Sequence, residues 1–470
     1  MGKLRTLDDG ETTLSAEVMT AFRAGFRGQV LTPDDAGYDE QRRVWNAMID
    51  RRPGLIVRCT GTADVVAAVK LARDHRLLVS VRGGGHNIAG LAVCDGGLMI
   101  DLSPMRGVIV DPRARIVRAQ GGCTLGDVDR ETQLHAQAAV LGFVSATGIA
   151  GLTTGGGFGY LTRQYGWTCD NVISMEVVTA DGAVVEASAD DNAELFWCLR
   201  GGSGNFGIVT AFTYRTFPLG PTILGGVMAW PAELAGDVLE RFAAISSSAP
   251  RTLTLVSMMR NAPPAPWLPP AIHGKPMIGV LAFYDGPIAE GEALIAPLRA
   301  LHPIADIVTA RPYAQLQNLL DATQPKGRRY YWKSEYLAGV GPELFEVYRA
   351  QAARNTSAHS AAVLFQLGGA LNELPADHSP VGNRDAKYVL NITGGWDSPA
   401  DDAVNVAWVR DTWEAMRRFS TGGVYVNFLS DDERGERVTA AYGRATFDRL
   451  AALKRRYDPM NLFRHTKSFG

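Results

Sequence analysis

His86 is the residue whose surroundings most invite chemistry: it closes the run Arg82-Gly-Gly-Gly-His-Asn87, just after the apolar stretch Leu77 to Val81. Nothing apolar crowds a histidine so placed, and three residues without side chains let ligand phosphates lie against the same backbone. Glycine is concentrated likewise in Gly121-Gly122, between Gly148 and Gly159, and between Gly201 and Gly207. With 51 glycines in 470 residues, against a usual share of about 7%, these clusters predict a bulky, phosphate-bearing cofactor. The phosphate motif is not a P-loop, because the chain has no G-x-x-x-x-G-K-[ST]. Gly202-Ser-Gly-Asn-Phe-Gly207 does satisfy G-x-G-x-x-G, but an expected helix (Asp190 to Leu199) precedes it and an expected strand from Ile208 follows it. A dinucleotide-binding βαβ unit needs the opposite order, strand then helix.

The elements that must hold these loops are short. Residues 55–58 (LIVR) read as a strand, and the run from Thr62 to Arg73 places Val65, Val69 and Ala72 on one helical face. Another buried strand is expected over Leu77 to Val81, followed by β-branched runs at 98–101, 107–110, 115–119, 172–179 and 183–187. Around Pro218-Leu-Gly-Pro221 the glycine density falls, which sets a domain boundary there. Strands at Met277 to Tyr284, 361–369 and 387–393 and a helix near 401–418 fill the second region, and a helix from Val438 to Tyr457 closes the chain. The pattern is α+β, with mixed or antiparallel strands rather than a regular β-α repeat.

Composition narrows the partners. A formal net charge of −2 with mixed signs gives no electrostatic footprint for nucleic acid or an anionic membrane, so a small molecule is expected. Five cysteines without a C-x-x-C spacing argue against a disulfide framework or a zinc site, and no metal is expected. The first thirty residues lack an apolar signal core and no later run of about 18 apolar residues occurs, so a cytoplasmic protein without a membrane span is expected. Oligomeric state leaves no mark in the sequence.

Six motifs in order, VSVRGGGHNIAG (79–90) with DLS (101–103), GGCTLGDV (121–128), ATGIAGLTTGGGFGYLTRQYGWTCDNV (146–172), GGSGNFGIVT (201–210) and RLAALKRRYDPMNLF (449–463), resemble the berberine-bridge-enzyme-like FAD-linked oxidoreductases of the vanillyl-alcohol-oxidase superfamily. The resemblance runs nearly end to end. It implies a PCMH-type FAD-binding domain of two α+β subdomains over 1–220, a substrate domain with a helix-covered antiparallel sheet over 221–420, and a C-terminal segment, 421–470, returning to the flavin. It further implies that Arg82, Gly83, Gly84, Gly85, His86 and Asn87 form the pyrophosphate loop, with His86 covalently bonded to the flavin 8-alpha methyl group. Gly122, Thr124, Ala146 and Thr147 would contact the cofactor, Gly148, Gly151, Gly155, Gly156, Gly157 and Gly159 would follow the isoalloxazine and ribityl chain, Ile208 and Val209 would line the adenine end, and Asn427 and Asn461 would come back to the ring.

Departures from the family pattern shape the expected chemistry. Val144 stands where many members carry a second linking cysteine, so attachment through His86 alone is expected, with Cys169 a partly buried free thiol. Phe428 replaces a tyrosine base of sugar- and alcohol-oxidising relatives, and Asn391 replaces an acidic or amide residue facing the flavin; neither can abstract a proton at neutral pH. Asn391, Asn427, Tyr331 and Tyr425 are the catalytic candidates, and Tyr160, Tyr165, Tyr336 and His378 stand as further candidate bases. In the strand Arg328 to Tyr336, either Tyr331, Lys333 and Glu335 or Tyr330, Trp332 and Ser334 face the substrate. The expected activity is hydride abstraction from a small amine, alkaloid-like or aromatic metabolite, with electrons passed to O2, a reaction Thr147 leaves room for. A carbohydrate or alcohol oxidase or dehydrogenase with a displaced tyrosine base, and a flavin-carrying binding protein without turnover, are the alternatives.

Overall fold

The computed structural model describes residues 2–467 and 469. Three sheets carry the architecture. In the first, Gln29–Leu31 pairs antiparallel with Leu55–Arg58, which runs parallel to Leu98–Asp101, itself parallel to Val79–Arg82. The helix Thr62–Asp74 makes the crossover and buries Val65, Ala68, Val69 and Ala72 against these strands, as its 3.6-residue periodicity predicts. The second sheet is antiparallel, in the order Val184–Ser188, Val172–Val178, Ile208–Pro218, Ile116–Gln120 and Val108–Asp111, with Gln137–Ala139 paired to the far end of the long strand.

The third sheet has eight antiparallel strands. Its five long central members run in the order Pro276–Tyr284, Leu253–Asn261, Ala361–Gln366, Tyr388–Trp396 and Arg329–Leu337, with Thr222–Pro231 next to the first. Helices Ala235–Ser248, Ile288–Arg299, Pro342–Ala352 and Asp402–Met416 cover one face, where Leu253, Leu255, Leu364, Leu390 and Ile392 meet Phe242, Phe345 and Trp408 in the largest core. Because side chains alternate along a strand, Val256, Met258, Val363, Phe365, Asn391 and Thr393 must point the other way.

The chain ends by returning to the first two sheets. Val424, Tyr442 and Leu450 join the core of the second, and Leu462 and Phe463 that of the first. The single helix expected over Val438 to Tyr457 is two, Glu436–Tyr442 and Arg444–Tyr457, broken at Gly443 with φ at +79°. Likewise the expected strand 361–369 stops at Gln366 before Gly368, whose φ is +89°. No helix among the described residues is long and apolar enough to cross a membrane.

Candidate active site

A cavity of about 370 Å³ lies between the free face of the eight-stranded sheet, its roof, and the glycine-rich loops, its floor. Gly83, Gly84, Gly85, His86, Asn87, Thr147, Gly148 and Gly151 line the floor, Ile208 and Val209 one end, and Asn391, Thr393 and Trp332 the roof. Tyr425, Asn427 and Phe428 enter from the C-terminal segment.

His86 is held by an aromatic stack that no sequence motif announced. The Trp45 ring lies 4.9 Å from the imidazole at 18° and 3.8 Å from Tyr330 at 6°, and its indole N–H donates to the Gln324 carbonyl at 2.9 Å. Asn46 ties floor to roof, donating to the carbonyls of Ile88 and Tyr330 and accepting from the Tyr330 N–H. Burial, aided by the Lys326 charge, pushes the His86 pKa down to about 4. At neutral pH the imidazole is therefore uncharged, with one ring nitrogen bearing a free lone pair.

Tyr331 is a correction. Its side chain is on the helix-covered face, with its hydroxyl donating to Asp432 at 2.6 Å and accepting from Arg410 at 3.0 Å. The opposite set faces the cavity side: Trp332 lines it and Tyr330 packs on Trp45. Strand parity decides this, because Leu337 and Tyr331 share the buried face with Leu390 and Ile392 of the adjacent strand.

Several expected cofactor contacts lie outside the cavity lining. Arg82 instead makes a buried, two-pronged pair with Asp101, whose carboxyl it holds below its ordinary pKa despite burial. Thr124 caps the helix Leu125–Thr132 in a reciprocal bond set with Asp127. Gly122, Gly155, Gly157 and Gly159 are glycines for packing: a Cβ would stand 1.8 Å from the Leu102 carbonyl oxygen, 2.1 Å from the Asn427 Oδ1, 2.4 Å from the Thr168 hydroxyl and 2.0 Å from the Leu141 carbonyl oxygen. Gly156 adopts φ of +108° beside Val381 and Trp167. Ala146 is outside the lining too, and Asn461 closes a turn onto Asp458. Of the further tyrosines, Tyr160 and Tyr336 are buried in apolar clusters, Tyr165 stacks on Phe217, and His378 contacts Arg200.

Tyr425 does line the cavity. Its phenol oxygen accepts from the Gly157 N–H at 3.0 Å and from the Asn427 amide at 2.9 Å, and burial raises its pKa well above the ordinary phenol value. It anchors Asn427, which also donates to the Leu152 carbonyl at 3.2 Å. Asn391 is 2% exposed, and among the described residues neither its Oδ1 nor the Trp332 Nε1 has a hydrogen-bond partner. Both residues line the cavity, within reach of a bound ligand.

Among the described residues, the lining contains no aspartate, glutamate or cysteine. All five cysteines are free and buried away from it. Cationic character comes from Lys467, whose ammonium donates to the Leu429 and Ser430 carbonyls and whose pKa burial lowers to about 8, and from Arg260. An FAD fits such a site: a Cβ on Gly151 or Gly204 would meet nothing within 4 Å, so backbone approach is open there, and no acidic side chain opposes a diphosphate.

Comparison with known proteins agrees with this fold. Residues 53–188 match the FAD binding domain family, and residues 424–469 match the berberine and berberine-like family. The protein named (R)-6-hydroxynicotine oxidase from Paenarthrobacter nicotinovorans is 31% identical over 450 residues, covering 93% of this chain and 96% of its own. The crystal structure of 6-hydroxy-D-nicotine oxidase from Arthrobacter nicotinovorans matches with a TM-score of 0.83 at 27% identity, over 97% of this chain and 100% of that one. A xylooligosaccharide oxidase from Myceliophthora thermophila shares the fold, with a TM-score of 0.83 at 20% identity, over 97% of this chain and 99% of that one. The chain thus belongs to the berberine-bridge-enzyme-like FAD-linked oxidoreductases of the vanillyl-alcohol-oxidase superfamily. It is an FAD-dependent oxidoreductase.

Proposed function

We propose that this protein is a monocovalent FAD oxidase, linked through His86, that oxidises a small amine, alkaloid-like or aromatic metabolite at the expense of O2. The observation that carries the reading is the composition of the lining: a neutral imidazole at the floor, amides and aromatic rings opposite, and no carboxylate or thiol. Bound there, FAD supplies a two-electron hydride acceptor that O2 can reoxidise.

The His86 lone pair serves as the nucleophile for attachment, and Trp45 keeps the ring plane fixed for it. Val144 lines the cavity where a second link would need sulfur. Asn391 and Trp332 offer an amide and an N–H donor to orient the substrate, while Phe143, Phe158, Phe365 and Phe428 exclude water around it. Tyr425, its phenol pushed far from titration at neutral pH, positions Asn427 and holds its own proton. Neither Phe428 nor Asn391 can take a proton, so those two positions suit an amine, whose own lone pair drives hydride release, better than an alcohol. Thr147 lines the floor and leaves room for O2. On the same reading, residues 1–220 hold the flavin, 221–420 the substrate, and 421–470 close the site.

Mass spectrometry of the denatured yellow protein tests this. An FAD-sized adduct is expected on the His86 peptide, with the Val144 and Cys169 peptides unmodified, and His86→Ala should release all its flavin into acid. Flavin retained by that variant after acid precipitation would refute the assignment.

A further inference from the structure

Arg260 faces the roof side of the cavity from the strand Leu253–Asn261, in register with Ala361, which pairs in turn with Thr393. Its Nε donates to the Asn261 carbonyl at 3.3 Å and its Nη2 to the Ala358 carbonyl at 3.0 Å. Among the described residues no carboxylate pairs with it. Asp397, which the lining residue His359 contacts through its Nε2 at 3.0 Å, is already engaged by Arg328 at 2.9 Å, and Glu346, which borders a separate cavity together with Arg260, makes no ion pair with it. A second arginine without a carboxylate shows how the protein otherwise satisfies such a group: Arg163, outside the cavity, donates to four backbone carbonyls. Arg260 uses two, and among the described residues its Nη1 has no protein acceptor. Burial and the neighbouring Arg328 pull its pKa down to about 10, which leaves it cationic at neutral pH.

We propose that Arg260 selects substrates bearing a carboxylate, bound by its guanidinium at the end of the cavity remote from the bond that Asn391 orients. The proposal deepens the substrate-cavity reading above and rests on it. Two strand spacings of about 4.8 Å and two residues of about 3.4 Å separate the Arg260 and Asn391 backbones, roughly 12 Å in all. Met258, Val363 and Phe365 lie beside that path. The fitting molecule is therefore an elongated one, with an apolar or aromatic middle, an oxidisable C–N bond at one end and a carboxylate at the other. No acidic side chain lines the cavity to repel it, and a charge-assisted, two-pronged bond to a planar guanidinium is the strongest polar contact the roof offers.

The test uses the flavin-loaded enzyme and two probes of equal shape, 4-phenylbutyrate and 4-phenylbutanamide, titrated against the visible flavin spectrum. The carboxylate is expected to bind about tenfold more tightly or better, a preference that weakens with added salt. Arg260→Gln should bring the two probes within about twofold of each other, and Arg260→Lys should keep part of the preference. Equal affinities in the unmodified enzyme, or a preference surviving Arg260→Gln, would overturn the proposal while leaving the substrate cavity intact. A flavin spectrum that neither probe perturbs would instead overturn the cavity reading, and this inference with it. Should Arg260→Gln not fold, the unmodified enzyme and Arg260→Lys decide the matter.

Discussion

In the floor of the cavity, glycines that mark the sequence are largely used up by backbone meeting backbone, whereas the roof meets the cavity with alternate side chains of four strands. A Cβ on Gly84 would stand 2.5 Å from the Gly148 N and Cα, and one on Gly148 only 2.3 Å from the Gly84 N. These two loops cross with nothing between them, and the crossing sets His86 at the cavity edge. The roof has the opposite logic: its backbone is a regular ladder, and its specificity lies in Met258, Arg260, Phe365, Asn391 and Trp332. Glycine density therefore reports a close approach without saying what approaches.

The largest expected effect separates the two meanings of a floor glycine. Gly84→Ala or Gly148→Ala should cost about 3 kcal/mol or more, because backbone on both sides must move. Gly151→Ala, which meets open space inside the helix Ile149–Thr154, should leave the urea midpoint unchanged or raised and lower only the flavin content. Equal midpoints for Gly84→Ala and Gly151→Ala would erase the distinction.

A comparable effect should appear with pH in flavin-free protein. The His86 pKa falls from 6.5 to about 4 on folding, so the unfolded chain binds the extra proton. Its contribution, about 3 kcal/mol at most, is fully present above pH 6.5 and disappears as pH drops through 4. Urea unfolding of His86→Gln should lose this slope. A slope unchanged in His86→Gln would assign it to other groups.

Smaller still is the pair that sharpens the two faces of the roof strand. Asn391→Ala should reduce kcat/KM about 10- to 100-fold with little change in stability, since its Oδ1 serves no protein partner. Tyr331→Phe should cost about 1 kcal/mol by loss of its bonds to Asp432 and Arg410 and leave steady-state kinetics unaltered. Kinetic loss in Tyr331→Phe would mean that the helix face communicates with the cavity.

Much of this was legible beforehand, because local rules produce it. The helix Thr62–Asp74 and the strands around it follow from periodicity, whereas the expectation that nothing apolar crowds His86 fails, because Trp45 stacks on its ring. The order in which helix Ala193–Leu199, a glycine turn and strand Ile208–Pro218 succeed one another likewise bears out the rejection of a dinucleotide fingerprint at Gly202 to Gly207. Trp45 carried no signal: it is 279 residues from the Gln324 carbonyl it bonds and 285 from Tyr330, whose ring it covers.

What the sequence alone determined is therefore the class of chemistry: the residue types that accept a flavin, the missing thiol at Val144 and the missing bases at Phe428 and Asn391 are properties of identity and order. What only tertiary structure decided is which residues meet. Strand parity sent Tyr331 to the helices and Trp332 to the cavity, and long-range packing put Trp45 on His86 and left Arg260 without a carboxylate. Such outcomes depend on contacts between segments hundreds of residues apart, and a one-residue change of register would reverse every roof assignment.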